Sequence, residues 1–427
     1  VPAKFKAFPN PLRALALATL ATDPHLLFKH AFSFATLFFL SLFPFFSFAE
    51  TNRTNSFCAT SSLKETETQT NVLSSREIND RMSLEGGISV PADNGRGYPK
   101  GFGAFFWKRA AWPWPTTDFK LVFAGIAGDV ELTMRGLITR DTDLGFGVND
   151  HTTGRLEEYH RGQIEIGNRM RVSQYSGRLF LDQHIVANYV EIAKLRATYQ
   201  YGYAEYYHDD DTASTFRLPN SGLFQTIQLN GDMGKLNRSN YSPNGWAANF
   251  EGEATFRDNW KSWGPPISWE SSSEFQKLTL RGTYVVSSFD QQKLVTKLTG
   301  GIGNKLDRLS VYKLGGALDG IPHSFILHGF YVKEIFAENF GLLNLDYTIP
   351  VLKEQQVALH LYADGAITHR TDVPDHEPHG WAGSGIGMSF RGWWDTHWLA
   401  GYGYGINAQR GPEHGGHEFF AQMSKEF

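Results

Sequence analysis

Residues 314–365 read LGGALDGIPHSFILHGFYVKEIFAENFGLLNLDYTIPVLKEQQVALHLYADG. A long glycine-containing segment comes first, with Leu327, His328, Gly329 and Phe330 at its centre. Two alternating segments follow, joined at IPVLKEQQ. Successive side chains of a strand point to opposite faces. That period sets Asp346 and Asp364 on the polar side. Leu343, Leu345, Tyr347 and Ile349 fall on the other side of the first segment, and Val357, Leu359 and Leu361 on that of the second. A soluble sheet alternates too, so the rest of the chain must say which solvent lies on each side.

Working outward, the second half offers strands at 245–257, 273–287, 292–303, 340–350, 357–368, 382–392, 397–408 and 417–427. Their connections alternate in length. RDNWKSWGPPISWES, 304–339 and HRTDVPDHEPHG are long; SSFDQQ, PVLKEQQ and GWWDTH are short; AQRGPEHGG is longer again. An up-and-down barrel of an outer membrane sorts its connections this way, short in the periplasm and long outside. The faces agree. Trp398, Ala400, Tyr402, Tyr404 and Ile406 oppose Leu399, Gly401, Gly403 and Gly405, and Ile386, Met388 and Phe390 oppose Gly385, Gly387, Ser389 and Arg391. Trp246, Phe250 and Phe256 oppose Asn249, Glu251 and Glu253. Lipid outside and a wet lumen inside suit this pattern, and the inward glycines leave room for something to lie against the wall. In the first half, alternating segments run from about Tyr98, at 119–126, 130–139, 163–172, 178–186 and 190–207, with 223–229 preceding a polar loop.

Composition fits. The mean hydropathy of -0.33 excludes a bundle of transmembrane helices. The formal charge of -4 gives no basic excess, so no nucleic acid partner is expected. High glycine and aromatic content suits a barrel with bends and interfacial girdles. The one cysteine, Cys58, allows no internal disulfide. Residues 31–49 form the one long uncharged apolar run, preceded by Lys29 and His30 and ending in Ser47-Phe48-Ala49. A transmembrane helix competes with a secretory signal here. Pro44 and the small terminal residues favour a signal cut after Ala49. The expected domains are a leader over 1–49, a polar linker over 50–86 and a barrel over 87–427.

The order LGG, then LHGF, then a strand ending near a proline, then YADG resembles the bacterial surface antigen superfamily of outer-membrane β-barrels, of the BamA, TamA and FhaC kind. The resemblance covers roughly Tyr241–Phe427, with SPNGW (242–246), GYGYGINAQR (401–410) and the terminal Phe427 in the expected order. It implies sixteen antiparallel strands and a sixth outer loop, here 304–339, folded back into the lumen. It implies that the loop tip (His328, Gly329, Phe330) meets carboxylates on the twelfth and thirteenth strands, here Asp346 and Asp364. A long loop loses much entropy when pinned, so charge-assisted bonds must hold it. Family members carry arginine where this chain has His328, which cannot form a bidentate fork and titrates near neutrality. Lys425-Glu426-Phe427 lacks the usual aromatic two residues before the end. Residues 50–86 are too few for a client-receiving POTRA module, which a periplasmic partner chain could supply.

The resemblance implies insertion or translocation of proteins or lipids at the outer membrane of a Gram-negative-type bacterium, with membrane lipids and periplasmic partner or client proteins as partners. A passive channel for small solutes is the alternative, and a surface-binding barrel a third reading. No nucleophile or substrate pocket accompanies Asp346 and Asp364, so no enzyme and no cofactor are expected. His376, His379, His414 and His417 fall on outer loops, where solvation is the expectation over metal. Trp393, Trp394 and Trp398 read as interfacial girdle in preference to a sugar site.

Overall fold

A computed structural model describes residues 80–427, apart from 94–96, 126, 161, 188–189, 240–241, 266–271, 289–290, 320, 322–323, 353–355, 370–377 and 411–412. The expected leader over 1–49, Cys58, His376 and residues 50–79 of the expected linker lie outside the described residues.

The first-half strands are β1 (Arg81–Pro91), β2 (Lys100–Ala110), β3 (Thr117–Phe123), β4 (Ala127–Thr139) and β5 (Thr142–Leu156). A small ribbon follows, β6 (Tyr159–His160) with β7 (Gln163–Ile164). Then come β8 (Met170–Ala187), β9 (Val190–His208), β10 (Gly222–Ser239) and β11 (Ser242–Arg257). The second half continues with β12 (Glu274–Ser287) and β13 (Lys293–Asn304), and a second ribbon, β14 (Tyr312–Leu314) with β15 (Ile335–Ala337). The last strands are β16 (Asn339–Pro350), β17 (Val357–His369), β18 (His379–Arg391), β19 (Thr396–Arg410) and β20 (Glu413–Glu426).

Sixteen of these close into one antiparallel barrel, each beside its barrel neighbour in sequence. Closure is by β1 on β20, in register from Ser83 opposite Glu426 to Pro91 opposite Glu418. A closed barrel leaves no unpaired edge, the condition for crossing a bilayer with strands. Among the described residues no helix is long and apolar enough to cross a membrane.

The two-residue period accounts for both walls. Exposed Tyr199, Ile227, Phe256, Tyr284 and Leu298 each adjoin a buried threonine: Thr198, Thr226, Thr255, Thr283 and Thr299. The apolar side faces outward and the hydroxyl inward. The inner wall of the first half is ionic. Arg178 bridges Asp129 at 2.6 Å and Glu131 at 2.7 Å, and Arg196 bridges Asp182 at 2.6 Å and Glu131 at 3.1 Å.

Several first-half expectations need correction. The barrel begins at Arg81, ahead of the expected boundary at 87. No single strand covers 163–172. Arg169 is buried between Glu157 and Asp211, 3.6 and 2.8 Å away, and β8 starts after it. The polar residues 230–239 stay in β10, because β11 pairs with them throughout. In the second half the last outer connection is not long, since β19 reaches Arg410 and β20 starts at Glu413.

Candidate functional site

Residues 305–338 join β13 to β16, and the described residues among them fold into the barrel. Leu314, Leu327, Phe330, Ile335 and Ala337 of this loop form one buried cluster with Phe340 and Leu342 of β16, Ala366 of β17 and Ala408 of β19. The β14–β15 ribbon sets the base, and bridges at Leu314–Phe325 and Gly316–Leu327 carry the chain to its tip.

The backbone of the tip lies against a group of glycines. A Cβ on Gly383 would strike the His328 carbonyl, and one on Gly403 would come within 2.5 Å of the Gly329 amide. Gly405 and Gly416 face the Gly329 carbonyl in the same way. Gly329 itself has φ of +79°, and a Cβ there would run into the backbone of Tyr404 and Gly405. Glycine is thus needed on both sides of this contact.

Polar groups then fix the tip. Asp364 Oδ2 accepts from the His328 amide at 2.8 Å and from Nδ1 at 2.6 Å, and its Oδ1 accepts from Asn344 Nδ2 at 2.7 Å. The imidazole stacks on Tyr362, centroids 4.3 Å apart. Burial presses the imidazole pKa down. The charge of Asp364 and its hydrogen bond, then Glu418 and Asp346, outweigh this, and the net direction is up from 6.5. Phe330 is fully buried, edge-on to Trp381 at 5.8 Å.

A second set of groups binds the loop to the closing seam. Glu418 of β20 accepts from the Ala317 and Gly329 amides at 3.0 and 3.2 Å, and from Ser89 Oγ of β1 at 2.5 Å. Arg410 Nε donates to Asp93 at 2.6 Å, its Nη1 donates to Glu334 at 2.5 Å, and its guanidinium covers the Tyr331 ring at 3.8 Å. The Tyr331 hydroxyl donates to Asp93 as well. Burial alone raises the Asp93 pKa, but hydrogen bonds from Tyr331 and Arg410, with the Arg410 charge, hold it below the ordinary 3.8.

No family model matches the sequence and no curated protein matches it. Solved structures do. BamA from Haemophilus ducreyi lacking POTRA domains 1–3 matches with a TM-score of 0.56 at 13% identity, over 82% of this chain and 71% of that one. This chain has the BamA-type barrel fold. CdiB from Acinetobacter baumannii matches with a TM-score of 0.55 at 11% identity, over 82% of this chain and 60% of that one. CdiB from Escherichia coli matches at 0.51 and 14%, over 81% and 63%. The chain therefore spans less than two thirds of either CdiB chain. At these identities the likeness is one of fold.

Within the BamA-type barrel, the expected tip residues His328, Gly329 and Phe330 are brought together with Asp364. Asp346 is not in the same hydrogen-bond set. It faces inward but accepts from His360 Nδ1 at 3.1 Å, and His360 Nε2 lies 2.9 Å from Ser389 Oγ. The second carboxylate is thus held by a neighbouring ring and not by the loop tip. Phe427 ends the barrel with its amide on the Met82 carbonyl at 3.0 Å, and Lys425 lies over its ring at 4.4 Å. Among the described residues no group of three or more His, Cys, Asp or Glu is placed to hold a metal ion.

Sequence reasoning missed Glu418, Arg410, Asp93 and Glu334. Glu418 had a signal: alternation sets it inward with Phe420, while Phe419 faces out. The other three carry none, because Asp93 meets Arg410 only when the first strand closes on the last, and Glu334 meets it only when the loop docks.

Proposed function

We propose that this protein works in the outer membrane of a Gram-negative-type bacterium as a barrel of the surface antigen superfamily, aiding insertion or translocation of proteins or lipids. The observation that carries this is the occupied lumen: loop 305–338 lies inside, held by His328 on Asp364 and bound to the seam through Glu418. A passive pore needs no such plug. The working parts are the inner loop, its grip and a seam between β1 and β20 that can part. Outer-membrane lipids surround the barrel, and a periplasmic partner chain supplies or delivers clients.

The direct test is the rate at which a small eight-stranded outer-membrane barrel folds into phosphatidylethanolamine–phosphatidylglycerol vesicles containing this protein. Acceleration over empty vesicles supports the proposal. A planar-bilayer recording separates the rival. Small, flickering conductance fits a plugged barrel, and large steady conductance fits a passive solute channel. Co-purification from native membranes would identify the partner.

A further inference from the structure

One carboxylate joins the two elements that the proposed function requires to move. Glu418 is 1% exposed on the inner face of β20, beside the seam. Oε1 accepts from Ser89 of β1 and from the Ala317 amide of the loop, and Oε2 accepts from the Gly329 amide. Further towards the outer end, Arg410 of β19 repeats the arrangement. It grips Asp93, two residues past β1, and Glu334 of the loop, with side-chain exposure of 1% for the arginine. Its Nη2 also reaches the Gly329 carbonyl at 3.4 Å.

We propose that Glu418 is a positioning residue that makes parting of β1 from β20 conditional on release of the inner loop. This rests on the reading above that the seam opens. The physical reason is shared partners. With the loop docked, the two side chains that reinforce the β1–β20 ladder, the Glu418 carboxylate on Ser89 and the Arg410 guanidinium on Asp93, are themselves held by the loop and shielded from water. Each therefore grips its β1-side partner without first losing side-chain freedom. Withdrawal of the loop takes two of three donors from a buried carboxylate and the Glu334 anion from a buried guanidinium. Both must then recruit water, and water competes directly for Ser89 and Asp93. Opening in the reverse order would pull β1 from groups still fixed in place.

The test uses the full chain in phosphatidylethanolamine–phosphatidylglycerol vesicles, with Cys58→Ser as background and no client. Nitroxides on lipid-facing Ile88 of β1 and Ile386 of β18 report the seam by pulsed electron resonance. Hydrogen exchange of the 313–332 peptide reports the loop. Asp364→Asn alters a loop contact and touches neither seam strand. It is expected to speed loop exchange and add a longer Ile88–Ile386 distance. Glu418→Gln presents an amide to three donors and is expected to do both, raising the open fraction about tenfold, the equivalent of one charged hydrogen bond. Gly329→Ala, which expels the loop sterically, repeats the test should either variant fail to give the heat-modifiable band of a folded barrel. A freed loop with the seam still at one short distance overturns the proposal, as does Glu418→Gln with both readouts unchanged. Since no client is present, failure of insertion activity leaves this result standing, and the converse holds too.

Discussion

His328 presents both its backbone N–H and its ring Nδ1 to a single oxygen of Asp364, at 2.8 and 2.6 Å. One side chain thus fixes both the position and the orientation of the loop tip. Because an ionised carboxylate only accepts, Nδ1 must carry the proton. Truncating either partner strands the other in a buried site. His328→Ala or Asp364→Asn should weaken loop docking by about 1.5–3 kcal/mol, the range for hydrogen bonds to charged groups. Hydrogen exchange of the His328–Tyr331 segment measures it, and unchanged protection would count against the assignment.

The same pair predicts a pH response, and its sign follows from the raised imidazole pKa. Docking gains its full contribution below the ordinary 6.5, where free and docked loops both carry the proton. As pH rises past that value the free loop loses its proton first. The contribution then falls until the raised, docked pKa is passed. Asp364, Glu418 and Asp346 are the anions that set this shift. Bilayer conductance or loop exchange should therefore increase from slightly acidic to alkaline pH. His328→Arg, which keeps its charge throughout, should flatten the profile.

Asp93 titrates in the opposite sense. Its pKa lies below 3.8, so it stabilises the outer end of the seam above that value, and the contribution is lost as pH falls through the lower one. Its partner Arg410 is buried, so Arg410→Ala takes the guanidinium from two carboxylates, Asp93 and Glu334, and should cost about 3–5 kcal/mol. Urea unfolding of the refolded barrel checks the figure. A midpoint that stays put would mean that Asp93 and Glu334 find other cations.

Gly329→Ala separates loop from wall. The new methyl would meet the Tyr404–Gly405 backbone, and the +79° φ adds strain of about 1 kcal/mol or more. Loop exchange should rise sharply while the heat-modifiable band of the folded barrel persists. Loss of that band as well would show the loop to be part of the folding core.

Phe427→Ala should slow assembly in cells more than it lowers the stability of the refolded barrel. Its ring is exposed and its amide, which alanine keeps, makes the contact to Met82. Membrane-fraction yield against unfolding midpoint tests the contrast.

The barrel was legible where alternation was clean. The barrel strands from β11 onward start and stop within a few residues of the sequence reading, because lipid on one side and lumen on the other impose a strict two-residue period. The inward glycines at 385, 403 and 405 marked a contact on the inner wall; Gly383, at the same contact, was not among those the alternation singled out. Legibility failed where another force set the path. Arg169 diverted the chain into buried ion pairs, and continuous pairing with β11 kept residues 230–239 extended despite their polarity. The site was half readable for a similar reason. His328 and Asp364 lie close in sequence, on one loop and the second strand after it. Asp93 and Arg410 are separated by most of the barrel, and no local pattern reports a contact made only at closure.

The bare wall behind His328 and Gly329 also governs speed. Interdigitated side chains must be unthreaded through a crowd of rotamer changes before two surfaces can part. Here the backbone at 328–329 meets glycines and the Tyr404 backbone, so nothing interlocks along that stretch, and Tyr362 and Trp381 are the side chains the tip slides past once its catches are undone. Its dwell time is then shared between the buried contacts of Leu327 and Phe330 and a handful of directional bonds, each of which a single proton or a single competing amide could undo.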